Sequence, residues 1–320
     1  MAYTHFKNLS GVNSLAVGKK GSEKVIADSL GRMYLNFEPG NQFYVDSGSG
    51  SASNDGLTWA TALATIDSAV NKCTASNGDV IWVAPGHTET ITGTDITVDV
   101  AGVTVIGLGK GSLMPQIKHN HENAEISIAA DNVTWKGIRH TADVTGVKVA
   151  IEIEDGIDYC TVSDCVFDVV ATATDEFLVS VRTNDASNFA LIENNFFDMG
   201  LGGAVAAISF TKDTDGTVVR NNVAMGDYST AVINGITTLS TKLLIEKNLL
   251  VNGDAANVGT EPGIELVTGS SGIIRDNDIV CNVNTLALAI VADGVMMYRN
   301  YSTETVAETG AVIGTAHAND

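Results

Sequence analysis

The sequence predicts an all-β solenoid, a parallel β-helix made of one stack of coils. Three observations predict it. An apolar residue returns at intervals of 23 to 30 residues, at Val105, Trp135, Val162, Ile192, Val219, Ile245, Ile274 and Met297. Three positions after the last five of these stands an asparagine, giving a structural ladder of Asn195, Asn222, Asn248, Asn277 and Asn300. Among 320 residues there are 32 glycines and only 4 prolines, with Val, Ile, Thr, Asn and Asp recurring throughout, a composition that favours short strands and tight turns over long helices.

The ladder fixes how the coils stack. Asparagine tolerates left-handed backbone angles at a corner, and its amide can bond the same side chain one coil away. A second strand of the repeat starts at Ile126, Ile151, Val179, Ile208, Ile233, Ile264 and Ile290, each with alternating side chains that put every other residue inside. Each coil therefore supplies at least two strands. No coil buries its inner face alone, whereas coils stacked about 4.8 Å apart make a continuous core; roughly eight to nine of them give a rod about 40 Å long.

The elements around this body follow in order. Residues 1–40 lie outside the repeat. LAVGKKGSEKVIAD there reads as two strands about a Gly-Lys-Lys-Gly turn and GRMYLNF as a third, a module too small for much of a core of its own. Residues 41–305 form the β-helix. An open end would expose core and strand edges, and a plug is available: within 58–74, Trp59, Ala62, Leu63, Ile66, Ala69, Val70 and Cys73 form one apolar helical stripe. Thr58, Thr61 or Thr65 supplies its N-cap, and Asn77-Gly78 ends the segment. Residues 306–320 form a C-terminal tail, an extra strand or a loose end.

FYVDSGSGSASNDGLTWATALATIDSAV followed by DVIWVAPGHTETI resembles the opening of proteins of the pectate-lyase-like superfamily: a strand, a Gly/Ser/Asp loop, a capping helix and a first coil. The later x-I-x-N-N-x-F coils extend the resemblance over about residues 41–305. It implies a right-handed single-stranded parallel β-helix with an N-terminal capping helix, a fold that hosts lyases, hydrolases and inert shafts. THFKNLSGVNSLAVGKKGSEKVIADSLGRMYLNF is similar to N-terminal segments of tailed-phage structural proteins. That similarity implies a virion protein and a homotrimer whose rods associate through one flat face.

Charge narrows the function. The formal net charge of −20 disfavours nucleic-acid binding, which needs clustered Lys and Arg. The first 36 residues are the exception, with Lys7, Lys19, Lys20, Lys24 and Arg32 against Glu23 and Asp28, and they form the candidate docking segment. No apolar stretch reaches the roughly 18 residues that span a bilayer, and MAYTHFKNLS lacks the apolar core of a secretory signal, so synthesis in the host cytoplasm without a membrane anchor is expected. Cys73, Cys160, Cys165 and Cys281 have neither CxxC spacing nor scaffold density and read as reduced thiols in the coils.

The catalytic inventory is thin. Polygalacturonase-like hydrolases carry Asn-x-Asp, Asp-Asp and Gly-His-Gly on successive coils. Here Asn77-Gly78-Asp79 and Asn252-Gly253-Asp254 match the first element alone, and Asp276-Asn277-Asp278 reads as a turn. Lyase chemistry needs a base and a cation, and Arg220, Lys247 and Arg275, near one place on three coils, read with Glu193 and Glu246 as a charge ladder. Asp213 and Asp215 are candidate metal ligands in Asp-Thr-Asp-Gly, although the remaining calcium-loop ligands are missing. His87 shows no local partner, and His119 and His121 read as loop histidines. No catalytic residue and no cofactor is expected. The leading expectation is a capsid decoration or cement protein docked by residues 1–40 on the major capsid protein or another virion protein. The alternative is a tailspike or tail fibre that binds or cleaves host surface polysaccharide, as a lyase or glycoside hydrolase.

Overall fold

The computed structural model describes residues 40–94, 96–169, 175–200, 203–253, 261–281 and 289–302, together with strands at 14–18, 23–28, 33–37 and 312–313. The chain divides into two compact units, Met1–Gly40 and Asn41–Asp320. In the first, Ser14–Gly18, Glu23–Asp28 and Met33–Phe37 pair as an antiparallel three-stranded sheet, the two flanking strands on either side of the middle one.

The second unit is a parallel β-helix. Its coils feed three parallel sheets of 11, 9 and 8 strands, here called first, second and third in the order each coil visits them. One coil runs through Thr134–Lys136, Arg139–Ala142 and Val147–Ile153. The eight apolar ladder residues face one another in unbroken register along the first sheet, from Val105 to Met297. The line continues backwards through Ile81 to Phe43 and forwards to Ile313 in the C-terminal segment. In the third sheet the partner of Ile151 and Ile208 is Val181 rather than Val179. Both valines share a face of a seven-residue strand, Phe177–Thr183, so apolar alternation alone does not choose between them.

The asparagine ladder stands between the first and second sheets, and its amides point inward. Asn195 Nδ2 donates back to the Val162 carbonyl (2.9 Å) and forward to Asn222 Oδ1 (3.1 Å), which also accepts the Asn195 main-chain N–H (3.0 Å). Asn222, Asn248 and Asn277 repeat the pattern, ending on Asn300. The first four asparagines are buried. The left-handed backbone expected of the ladder falls one residue earlier, on Asp164, Asn194, Asn221, Lys247, Asp276 and Arg299, whose φ angles lie between 53° and 56°. The corner residue makes the turn, and the next one is thereby aimed into the core.

The plug is shorter than a 58–74 helix. A 3-10 turn, Trp59–Thr61, is capped by Thr58, and an α-helix (α1), Ile66–Val70, is capped by Thr65. Between them Leu63 leaves helical geometry because its N–H donates to the Tyr44 carbonyl and its own carbonyl accepts from Asp46, bridging it to the first sheet. Ala62, Leu63, Ile66, Ala69 and Val70 are still buried over the core, while Trp59 stays exposed. His87 locks this cap. Its Nδ1 accepts the Ser47 N–H (3.0 Å), its Nε2 meets Glu89 (3.2 Å), and Glu89 accepts the Ile66 N–H that opens α1 (3.1 Å).

Beside the asparagine ladder, the buried face carries a polar relay. His140, Phe167 and Phe197 stack on successive coils with centroids 4.9 and 4.8 Å apart. Trp135 Nε1 can only donate, so His140 Nε2 accepts (3.0 Å); His140 Nδ1–H then donates to His119 Nε2 (3.2 Å), and His119 Nδ1–H to the Ala124 carbonyl (2.8 Å). Every ring nitrogen is satisfied by neutral rings. His119 is thus a core residue and not a loop histidine, while His121 is exposed. Burial pushes His119 down to about 4, and burial with the neighbouring His119 holds His140 well below its usual value. All four cysteines are free thiols; burial pushes Cys160 up to about 11 and Cys165 to about 12.

Two outcomes follow for stability. Asn222→Ala strands the Asn195 main-chain N–H and the Ile192 carbonyl, so urea denaturation should show a loss of about 3 kcal/mol; Asn300→Ala, at the end of the ladder, should cost less. The two imidazoles take up protons on unfolding near pH 6.5 but stay neutral when folded. Stability should therefore decline as pH falls from about 6.5 towards 4, at about 2.5 kcal/mol per unit while both contribute, and His140→Phe should roughly halve that slope.

Candidate functional site

The outer face of the third sheet carries a polar row, Ser127, Glu152, Arg182, Ser209, Asn234 and Glu265, held in register coil by coil. Period-two alternation puts Ile151 and Ile153 inside and hands Glu152 to the opposite face. Glu154 follows the same strand, and Glu125 precedes Ile126 on the coil before. Carboxylate oxygens of Glu125, Glu152 and Glu154 all lie within 4.8 Å of one another.

The three carboxyls differ in their surroundings. Arg182 grips Glu152 with two parallel bonds, Nε to Oε1 (3.0 Å) and Nη2 to Oε2 (2.7 Å), and Asn184 Nδ2 also donates to Oε1. Ser127 donates to Glu154 (2.7 Å), and Thr94 to Glu125 (3.2 Å). Burial, then the nearby charge of Glu152, holds the Glu125 carboxyl above its usual range. The cluster therefore pairs an anchored carboxylate with a carboxyl that keeps its proton more readily. It offers hard oxygen ligands to a cation, or a proton donor beside an acceptor to a bound substrate.

Sequence reasoning placed a strand from Ile151 but singled out none of Glu125, Glu152 and Glu154. Their convergence depends on the 25-residue offset pairing Ile126 with Ile151, which only the coil register supplies. The residues it did single out fall elsewhere. Asp215 is engaged by Lys242 (2.7 Å) and Thr241 (2.5 Å), bonds that hold its carboxyl below the usual range, and no cluster among the described residues joins it to Asp213. Asp79 accepts from the main chain of Asn41 and Thr74 (both 2.6 Å) and so ties a turn. Arg220 and Arg275 do form a charge ladder, with Glu193 (2.7 Å) and Glu246 (2.6 Å), but its third rung is Glu246 and not Lys247, which takes the left-handed corner. Lys24 falls within the middle strand of the N-terminal sheet, and Lys7, Lys19, Lys20 and Arg32 lie outside the described residues. A separate groove of about 420 Å³ lies beside Gly107, Lys110 and Met114, where Lys136 pairs with Asp164 at 3.0 Å. Among the described residues no helix is long and apolar enough to cross a membrane.

Stacked parallel coils closed by a short N-terminal cap settle the architecture. The fold is the parallel β-helix that the repeat predicts. No family profile matches the chain, and neither does any curated protein. Solved structures do. A lacto-N-biosidase from Eubacterium ramulus is 11% identical, covering 83% of this chain and 67% of that one, with a TM-score of 0.44. A tailspike protein of Escherichia coli bacteriophage HK620, a double mutant in complex with a pentasaccharide, is 12% identical over 87% of this chain, with a TM-score of 0.42. The chain spans 59% of that tailspike's length. A rhamnogalacturonan lyase is 13% identical over 85% of this chain and 84% of its own, with a TM-score of 0.42.

Substitutions separate the carboxyls. Glu125 has a raised folded value, so its contribution is full below the unfolded value and is lost as pH rises through the folded one; Glu125→Gln should increase stability at pH 7. Glu152→Gln should instead lower it by about 1–3 kcal/mol, because the largely buried Arg182 loses its charged partner. Urea melts of both variants at pH 7 check the opposite signs.

Proposed function

We propose that this chain is a virion component of the tailspike kind, whose β-helix binds host surface polysaccharide on the outer face of the third sheet. The observation that carries the proposal is the convergence of Glu125, Glu152 and Glu154 beside Arg182 on that face. Polar side chains gathered on a rigid sheet give fixed donors and acceptors for sugar hydroxyls. A Glu125 carboxyl held above its usual range by burial, beside two further carboxyls, also suits a general acid, so slow cleavage of the bound glycan belongs to the same reading.

A capsid decoration role explains the basic N-terminal segment equally well but gives this cluster no task, and it takes second place for that reason. In either case residues 1–40 dock on another virion protein, with Lys7, Lys19, Lys20, Lys24 and Arg32 as the contact charges. A homotrimer is part of the proposal too. The outer face of the second sheet suits it, since Phe196, Val223, Leu249 and Val280 lie there in an otherwise acidic body.

Immobilised envelope polysaccharides from candidate hosts test the proposal. Expected is saturable binding to at least one, weakened by Arg182→Ala. Any release of reducing ends should fall at least about a hundredfold in Glu125→Gln. Absence of binding to every host envelope, together with hundreds of copies per particle, would overturn it in favour of decoration.

A further inference from the structure

The corner that leads from the third sheet into the first is left-handed on every coil from Gly102 to Lys242. The residues there are Gly102, Asn132, Tyr159, Phe189, Gly216 and Lys242, with φ between 53° and 77°. Five of the six take the same main-chain bond, the N–H of Gly102 to Asp131, of Asn132 to Asp158, of Tyr159 to Asn188, of Phe189 to Asp215 and of Gly216 to Thr241, whereas the Lys242 N–H goes to Ser271 Oγ. Glycine and asparagine are the residues this geometry favours; bulky aromatic side chains are the ones it disfavours most. Two successive coils nevertheless carry Tyr159 and Phe189.

Those two rings stay at the surface. They stand 55% and 40% exposed and stack on each other with centroids 4.9 Å apart and planes 11° from parallel. The Phe189 ring lies over the bare Cα of Gly216, where an added Cβ would come within 2.5 Å of it. A line of carboxylates and an amide runs beside them: Asp131 accepts the Asp158 N–H (2.9 Å), Asp158 the Asn188 N–H (3.0 Å) and Asn188 the Asp215 N–H (2.9 Å). Only Oδ1 of each aspartate is used, and among the described residues Oδ2 takes no hydrogen bond. The result is a rigid aromatic ledge at one coil spacing, flanked by fixed acceptors.

We infer that this ledge is a saccharide subsite for uncharged hexose units, the rings taking the apolar C–H face of a sugar and Asp131 and Asp158 taking its hydroxyls. The inference rests on the glycan-binding reading above and extends it. Tyr159 lies five residues beyond Glu154 on the same coil, at most about 18 Å along the chain, so a short oligosaccharide reaches from the carboxyl cluster to the ledge. The charge nearby selects against acidic sugars. Asp131, Asp155, Asp158 and Asp185 cluster around the corner, and the cation paired there is Lys212, 4.0 Å from Asp155 and 3.6 Å from Asp185. Backbone strain retained under exposed aromatic rings is a cost that a ligand contact explains and packing does not.

The test is saturation-transfer NMR and calorimetry on the full chain with named probes: maltohexaose, cellohexaose and galactohexaose as neutral sugars, and hexagalacturonate as the acidic one. Variants are Tyr159→Asn and Phe189→Gly, which place at this corner the residues found there on adjacent coils, and Glu125→Gln as the control at the cluster. Expected is binding of a neutral probe, with its C–H protons nearest the rings, and about a tenfold loss of affinity in each ledge variant, whose melting stays cooperative. Equal affinity of parent and ledge variants, with Glu125→Gln or Arg182→Ala weakened, would overturn the ledge and leave the glycan reading standing. Preference for hexagalacturonate would overturn the neutral class. Failure of the parent to bind any of these probes would overturn the ledge, and the glycan reading then stands or falls on the envelope polysaccharides.

Discussion

Everything in the coiled unit depends on one constraint, the in-register parallel pairing of each coil with the next. A slip of one residue would turn Val105, Trp135 and their successors outward and Lys136, Glu193 and Arg220 inward, so apolar burial on three sheets at once penalises any other register. The asparagine amides add a directional lock at the corner, where two main-chain partners and a neighbouring amide must all be met in the dry interior. The stacked His140, Phe167 and Phe197 rings and the Glu–Arg ladders outside follow from that spacing, since like positions recur one strand separation apart.

The same register is what turns scattered residues into surfaces. Glu125 and Glu152 are far apart in the chain and face each other only because Ile126 lies opposite Ile151. Tyr159 and Phe189 likewise meet because their coils are equivalent. A β-helix thus converts a linear sequence of about one coil per line into a two-dimensional array, and a chemical group appears on it wherever two or three adjacent lines agree.

How far the sequence could be read follows from this. The first-sheet ladder was legible because one apolar position repeats with little interruption and is reinforced by Asn195 to Asn300. The second sheet was not singled out: its strands are three or four residues long and directly follow the asparagine, so they merge with the first-sheet pattern. The stripe from Trp59 to Cys73 has true helical spacing, yet Leu63 is claimed by the Tyr44 and Asp46 backbone, a tertiary demand that local periodicity does not contain. His87 and His119 looked alike as isolated histidines and turned out to hold a cap and a core relay. Of the candidate site, residue types were visible and their convergence was not.

The asparagine ladder has an orientation. In every rung the main-chain N–H and one amide hydrogen donate from an earlier coil to the asparagine of a later one, so these donors are met only when the successor coil is in place. During synthesis the N-terminal coils emerge first, and each ladder coil holds open donors that the asparagine Oδ1 of the next coil meets. An interrupted chain would end on an unsatisfied main-chain N–H and an exposed strand edge, a template for another chain. The direction of translation and the direction of the ladder coincide, and the capped end is the one the ribosome delivers first.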